Sequence, residues 1–444
     1  MSKSWYRLMI LVVMAVISGC NTDGDDINVS NKSASVKMGG LFPFTGSLNE
    51  KGIPRHQAAL LATKHLTEAG YPVELVVADS RTNKDFAVEA ARELVDKGNV
   101  DVLIGAASSP ATIAVAEQVS IPRQVPQISY SSSSPLLTEL EADKGQDFLF
   151  RTTSSDELQG VVLAQLAFET GYRRVSVLYI EGAYGEGLTE VFTTNFKELG
   201  QKNGEIVRVV SGPHEKTETE SDFSDDEVVK NILLANLQGI SDEPTEVLIA
   251  ISLLGYAKIF LKQAVENNFF DKFLFVDGTK SKKIVEIVGA TALEGMCGTA
   301  PGVDKETDSW REFEKSYRDE YRKSPEELYQ PHAYDAVVVA GLAAYAAEAI
   351  GETITPITIR EYLRRVNDTK DGQTVTAGPE GLKRGMKMLD SGFTINYQGA
   401  SGNVDFDENG DVIAPVEIWC YEGGQIVTKN SVIVPSIPLT TATQ

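Results

Sequence analysis

Two clusters of hydroxyls have the residue types and spacing to do chemistry. Ser108 and Ser109 close the apolar run VDVLIGAA and precede Pro110, and Ser131 to Ser134 follow VPQISY and precede Pro135. Serines after a strand usually form a solvated loop. At the carboxyl end of a strand in an open α/β sheet they stand where such folds bind ligands. Ser109 and Pro110 read as the N-cap and first residue of a helix. The free N–H groups of that turn and the helix dipole favour an anion there by about 0.3–1 kcal/mol. Nucleophilic catalysis is not indicated. No His lies in either serine segment, and G-x-S-x-G, G-x-x-x-x-G-K-[ST] and H-E-x-x-H are all absent. His56, His65, His214 and His332 are scattered without ligand spacing. DFDENG (405–410) mimics the front of a Ca²⁺ loop, but its twelfth position is Val416, so an Asn-Gly turn is expected instead. The chain reads as a binding protein, not an enzyme, with no cofactor and no metal.

The amino terminus indicates export. Lys3 and Arg7 precede the ten-residue apolar run 8–17, which is too short to span a bilayer and reads as a signal-peptide core. It ends in Ile17-Ser18-Gly19-Cys20, which resembles the lipobox of bacterial lipoproteins, so Cys20 is expected to carry a lipid. Residues 21–35 are polar and aperiodic, a flexible tether. Contact with the membrane is expected through the lipid anchor only. The chain has 63 acidic and 41 basic residues, a formal charge of −22. That balance excludes nucleic acid as a partner, because such binding rests on neutralising phosphates. The acidic stretch TETESDFSDDE (217–227) reads as a solvated loop and helix start. After Cys20 only Cys297 and Cys420 remain. An oxidising envelope permits a disulfide between them, and two separately buried thiols fit the sequence equally.

The elements that position the serines alternate regularly. VKMGGLF, VELVVAD, VDVLIGAA and VPQISY read as strands. Between them lie a helix from about Ile53 and the amphipathic segment NKDFAVEAARELVDKG. After Arg151 the pattern restarts with a helix in DELQGVVLAQLAFETG, RVSVLYI, a helix over about 187–199, EIVRVV, a helix over about 226–237, EVLIAIS and FLFVDG. Short apolar strands alternating with helices imply βαβ units and a mainly parallel sheet. Residues 100–132 also lie beside 245–277 without a gap, an offset of 145. Under it Ser108 and Ser109 match Leu253 and Leu254, and Ser132 matches Asp277. Two equivalent α/β lobes facing each other across a cleft suit a small ligand.

Over about 36–430 the chain resembles the type I periplasmic binding proteins, in the leucine/isoleucine/valine-binding branch of ABC-transporter receptors. FPFTGSLNEKG, LIGAASSPAT, ISYSSSSPLLTE, FLFRTTSSDELQG, YGEGLTEVF, SDFSDDEVV, LEGMCGTAPG, PHAYDAVVVAGLAAYAA and INYQGASGNVDFDENGDV carry the resemblance, in order. It implies an α/β fold of two doubly wound, mainly parallel-sheet lobes joined by a three-strand hinge. Residues 1–19 are the signal peptide and 20–35 the lipidated tether. Lobe 1 spans 36–155 plus 301–411 and lobe 2 spans 156–300 plus 412–434, with crossings near Ser155, Pro301 and Val412. Those crossings assign Cys297 and Cys420 to strands of the second lobe, where a disulfide is expected.

The resemblance also implies residue roles. A hydroxyl at Ser109, another at Ser133 and nearby amides, with Ser108 adjoining, would hold a ligand carboxylate. The carbonyl of Ser131 and the acid of Asp277 would hold an ammonium, and Tyr184 would close over the ligand. Leu253 and Leu254 stand where branched-chain amino acid receptors often have tyrosines. Lys51 stands where an aromatic often lines the side-chain pocket, and it would either meet an acidic ligand group or be solvated. The implied function is an extracytoplasmic receptor that binds an amino acid or related small carboxylate and delivers it to an ABC permease. A ligand-sensing or envelope-assembly lobe without an importer is the other reading of the same fold.

Overall fold

The computed structural model describes residues 36–215 and 226–432. The expected leader 1–19, the lipidation site Cys20, the tether to residue 35 and most of the acidic stretch 217–227 lie outside the described residues, as do 433 and 434 of the second-lobe segment.

The chain first builds β1 (Val36–Phe42), α1 (Asn49–Glu68), β2 (Val73–Asp79), α2 (Lys84–Arg92), β3 (Val102–Ile104), α3 (Ser109–Val115), α4 (Ile121–Arg123), β4 (Gln127–Ser129) and β5 (Leu149–Arg151). The strands pair in parallel in the order β2-β1-β3-β4-β5. Local chemistry sets these boundaries. Asn83 caps α2 by accepting from the N–H groups of Asp85 (2.8 Å) and Phe86 (3.3 Å). α3 runs into α4 through one widened turn, Ala116–Ser120, so the two form a single rod.

The same plan is then repeated with α5 (Asp156–Glu169), β6 (Arg174–Ile180), α6 (Ala183–Asn203), β7 (Arg208–His214), α7 (Glu227–Ser241), β8 (Val247–Ile251), α8 (Leu254–Glu266), β9 (Phe273–Phe275), α9 (Lys282–Val288), α10 (Ala290–Leu293) and β10 (Cys297–Pro301). Strands β7-β6-β8-β9-β10 repeat the order of β2-β1-β3-β4-β5. The offset of 145 residues lays β3 onto β8, and Ser108 and Leu253 both stand as N-caps of the following helix. The chain is thus α/β, with two doubly wound, mainly parallel lobes.

The remainder returns to the first lobe as α11 (Asp308–Tyr321), α12 (Gln330–Ala349), α13 (Pro356–Tyr362), β11 (Gln373–Thr376), α14 (Pro379–Asp390) and β12 (Ile395–Gln398). Trp310, Phe313, Tyr334 and Leu342 join the core that holds Val36, Met38 and Ile128. α12 is apolar on all sides and is buried along its length, as that composition requires. Val412 still packs in the first core, and Val416 opens β13 (Val416–Glu422), which lies antiparallel to β10 and leads into β14 (Gln425–Val432). Gly423 and Gly424, both at positive φ, make the two-residue turn between β13 and β14. Among the described residues no helix is long and apolar enough to cross a membrane.

Some boundaries differ from the sequence reading. α1 begins at Asn49, with Pro54 inside it, rather than near Ile53. Gly52 makes this possible, since a Cβ there would lie 2.2 Å from the carbonyl oxygen of Pro43. α6 starts at Ala183 rather than near 187, which moves Tyr184 from a loop onto a helix. Ser108, not Ser109, is the N-cap of α3. DFDENG forms a loop rather than a turn between paired strands, and Asp411 just after it is held by Arg151 and Thr138.

Cys297 and Cys420 face each other on β10 and β13 and are joined by a disulfide. The bridge closes the excursion the chain makes into lobe 1, a loop with a sequence separation of 123 residues. Cross-linking so long a loop restricts the unfolded chain, so the Cys297→Ser, Cys420→Ser pair of changes should lower stability by about 2–5 kcal/mol. Urea unfolding with and without reductant checks this; a wild-type midpoint that does not move on reduction would contradict it.

Candidate ligand-binding cleft

A cleft of about 650 Å³, including its open mouth, separates the lobes. Lobe 1 contributes Lys51 and Arg55 from α1, Ser108 and Ser109 from the start of α3, Ser131 after β4, and Tyr329 before α12. Lobe 2 contributes Ile180, Glu181, Tyr184, Leu253, Asp277 and Gly278. The lobes also touch at the rim. Lys258 bonds Glu50 at 2.9 Å, Lys282 bonds Glu326 at 2.9 Å, and Ser134 Oγ donates to the carbonyl of Ala183 at 2.6 Å.

Asp277 follows β9 and is 8% exposed. Its Oδ1 accepts from Tyr184 OH at 2.7 Å and Gln159 Nε2 at 3.1 Å, and its Oδ2 accepts from Tyr329 OH at 2.7 Å. Tyr184 and Gln159 belong to lobe 2 and Tyr329 to lobe 1, so the carboxylate is shared by both. Burial raises the Tyr184 and Tyr329 hydroxyls well above their ordinary value, and the charge of Asp277 raises them further. They therefore stay protonated as donors. Close approach sets the geometry. A Cβ on Gly278 would lie 2.3 Å from Ser252 O and 2.9 Å from Tyr184 OH, and one on Gly185 would lie 1.9 Å from Ile180 O. Tyr329 adopts φ 71°, ψ 7°, a left-handed conformation that costs a non-glycine residue about 1–3 kcal/mol.

The opposite wall offers donors. Ser108 is 9% exposed, and its Oγ has no partner. Ser109 Oγ accepts from the N–H of Ser134 at 3.2 Å, which leaves its own proton to give. The first-turn N–H groups of α3 lack intrahelical acceptors.

The serine run is mostly framework, which corrects the expectation for Ser133. Its Oγ donates to Asp156 Oδ2 at 2.9 Å, away from the cleft, because Asp156 opens α5 directly behind it. Ser132 Oγ pairs with Thr112 Oγ1 at 2.7 Å, and Ser134 Oγ reaches Ala183. Only Ser131 of the four lines the cleft, with its Oγ donating to Ala107 O at 2.8 Å. Arg151 holds the loop from below by donating to Ser134 O at 2.9 Å and to both carboxylate oxygens of Asp411 at 2.6 Å.

The remaining expected residues all reach the cleft. Ser108, Ser109, Tyr184, Leu253, Asp277 and Lys51 lie on its wall. Lys51 is neither solvated nor free, since it is buried and ion-paired with Glu327. Sequence reasoning missed Arg55, Tyr329, Gln159 and Asp156. One signal was present for Arg55. With Ala58, Ala62 and Leu66 it keeps helical spacing on the buried stripe of α1, where an arginine has no packing reason to sit.

Asp156 is fully buried, and its Oδ1 has no partner. Burial raises its pKa well above the usual carboxylate range, and the neighbouring Asp277 charge adds to the rise. Two carboxylates so placed do not both ionise readily.

Comparison with known proteins follows this geometry. The family model for the receptor family ligand binding region matches residues 54–424. The chemotactic signal transduction system substrate-binding protein BasB of Halobacterium salinarum is 24% identical over 383 residues, which are 83% of each chain. Human metabotropic glutamate receptor 8 is 29% identical over 200 residues, 37% of this chain, and the chain spans 22% of that receptor's length. The leucine-binding protein LivK of Thermotoga maritima superposes with a TM-score of 0.69 at 24% identity, over 89% of this chain and 98% of LivK.

A raised carboxyl pKa means that the folded state keeps a proton the unfolded chain has already lost. The stability this proton contributes is present at low pH and is lost as pH rises past the ordinary carboxylate range. The difference in stability between Asp156→Asn and wild type should therefore be smallest near pH 4 and should grow in favour of the variant by about 1 kcal/mol or more at pH 8. Urea midpoints at the two pH values test this, and an equal shift of both proteins between them would contradict it.

Proposed function

The chain belongs to the receptor ligand-binding-region family, and on that premise we propose that it is an extracytoplasmic receptor for an amino acid or related small carboxylate. The observation that carries this reading is the pairing of Asp277 with Ser108 across one cleft. A buried carboxylate with three donors is a fixed negative pole, and an ammonium is the group that compensates it. The unpartnered Ser108 hydroxyl, Ser109 and the free amides of the α3 start form the pole for a carboxylate. A zwitterion spans both. Tyr184 and Leu253 line the space between, and Ser131 offers its carbonyl. The name of LivK as a leucine-binding protein leans the same way, although its 24% identity supports the fold alone.

In the mechanism we propose, the lobes close around three passages of chain, near Ser155, Pro301 and Val412. Closure brings Tyr329 onto Asp277 and completes the rim pairs Glu50–Lys258 and Glu326–Lys282. The closed form is then presented to an ABC permease, with Cys20 as the lipid anchor in the cell envelope. The name of BasB supports a second reading, in which the same closure reports ligand to a sensory partner. A strain lacking the chain loses uptake of labelled ligand under the first reading, and loses only the behavioural response under the second.

A thermal-shift screen of amino acids against carboxylates that lack an amine tests the shared core of both readings, since a ligand of the folded state raises its stability. Amino acids should raise the melting temperature and deaminated analogues should not. Asp277→Ala should weaken the amino acid by about 2–5 kcal/mol, and Ser109→Ala by about 1–3 kcal/mol because the amides remain. Unchanged calorimetric affinity in Asp277→Ala would overturn the reading.

A further inference from the structure

We infer that Arg55 receives a second anionic group of the ligand, so that the cleft takes an amino acid with an acidic side chain. The inference rests on the amino-acid reading above and adds the ligand's net charge to it.

Arg55 is 4% exposed and lies on the cleft wall. Its guanidinium carbon sits 5.0 Å from the centroid of the Tyr329 ring and 6.0 Å from that of Tyr130. Nε donates to Leu328 O at 3.3 Å and Nη1 to Ser131 Oγ at 3.4 Å. Both acceptors are neutral and both bonds are long. The other N–H groups of the fork find no acceptor among the described residues, and no carboxylate lies within ion-pair distance. A buried charge is ordinarily paired, because leaving one alone is costly.

The two nearest carboxylates are engaged elsewhere. Glu327 is ion-paired with Lys51, one turn before Arg55 on the same helix. Asp277 lies beyond Tyr329, whose ring stacks on Arg55 and whose hydroxyl donates to Asp277. The cleft therefore holds a cation at Arg55 and an anion at Asp277 that act on each other through space but form no direct ion pair, besides the neutral donors of Ser108 and Ser109. A neutral amino acid satisfies Asp277 and the serines and leaves Arg55 unpaired. An acidic one satisfies all three, and the planar guanidinium fork fits a carboxylate with two parallel hydrogen bonds. Glu181 also borders the cleft, but it is exposed, and water screens its charge.

The test is calorimetric titration of the full chain with matched pairs, L-glutamate against L-glutamine and L-aspartate against L-asparagine, with L-leucine as the apolar probe. At least one acid should bind about tenfold to a hundredfold tighter than its amide, the span expected for a charge-assisted hydrogen-bonded pair. In Arg55→Gln that ratio should collapse toward one, and Arg55→Lys should restore part of it. If Arg55→Gln does not fold, the wild-type acid-to-amide ratio decides alone. Amides or leucine binding as tightly as the acids would overturn this inference and leave the amino-acid reading intact. Binding by none of the five would overturn this inference, and the thermal-shift screen above then decides the amino-acid reading.

Discussion

The cleft is organised around one buried carboxylate, and the constraint is that Asp277 cannot be left without donors. Burying its charge is tolerable only because Tyr184, Gln159 and Tyr329 all point at it. Each donor imposes a condition on the fold. Tyr184 requires α6 to begin as soon as β6 ends, which in turn requires Gly185 against Ile180 O. Tyr329 requires a left-handed residue at the start of α12. Gln159 requires α5 to enter lobe 2 beneath the end of β9. Because the three come from two lobes, the carboxylate also serves as a latch that only an apposed pair of lobes completes.

The neighbouring charges follow the same logic of neutralisation at a distance. Burial raises the Asp156 carboxyl well above its ordinary value and the charge of Asp277 adds to the rise, which disfavours a second negative charge at the junction. Lys51 and Glu327 cancel each other, as do Lys280 and Glu417 at 2.6 Å. Arg151 is buried but fully employed, since it ties the serine loop to Asp411. Against that background Arg55 is a buried cation whose hydrogen bonds go to neutral groups, with Glu327 and Asp277 acting on it only from a distance.

The repeat explains how two lobes came to offer opposite chemistry at equivalent positions. Ser108 and Leu253 are both N-caps, but only the first carries a hydroxyl. Asp277 stands where lobe 1 has Ser132, whose hydroxyl is spent on Thr112. One lobe thus presents donors and the other an acid, on strand ends built to the same order.

Much of the fold was legible in the chain because it rests on local signals. The alternation of β-branched runs with amphipathic stripes and the 145-residue offset specify two lobes of equal plan with no three-dimensional information. The cleft wall was legible where it coincides with strand ends, at Ser108, Ser109, Ser131, Leu253 and Asp277. Hydroxyl direction was not, and Ser133 turned to Asp156 because a carboxyl from a distant helix lay behind it and needed a donor. Nor could sequence pair Lys51 with Glu327, since that depends on which helices and loops become neighbours. Arg55 is the sharpest case. Its place on the buried stripe of α1 was set by spacing, but its lack of a direct ion-pair partner is a property of everything packed around it, and only the tertiary structure decides that.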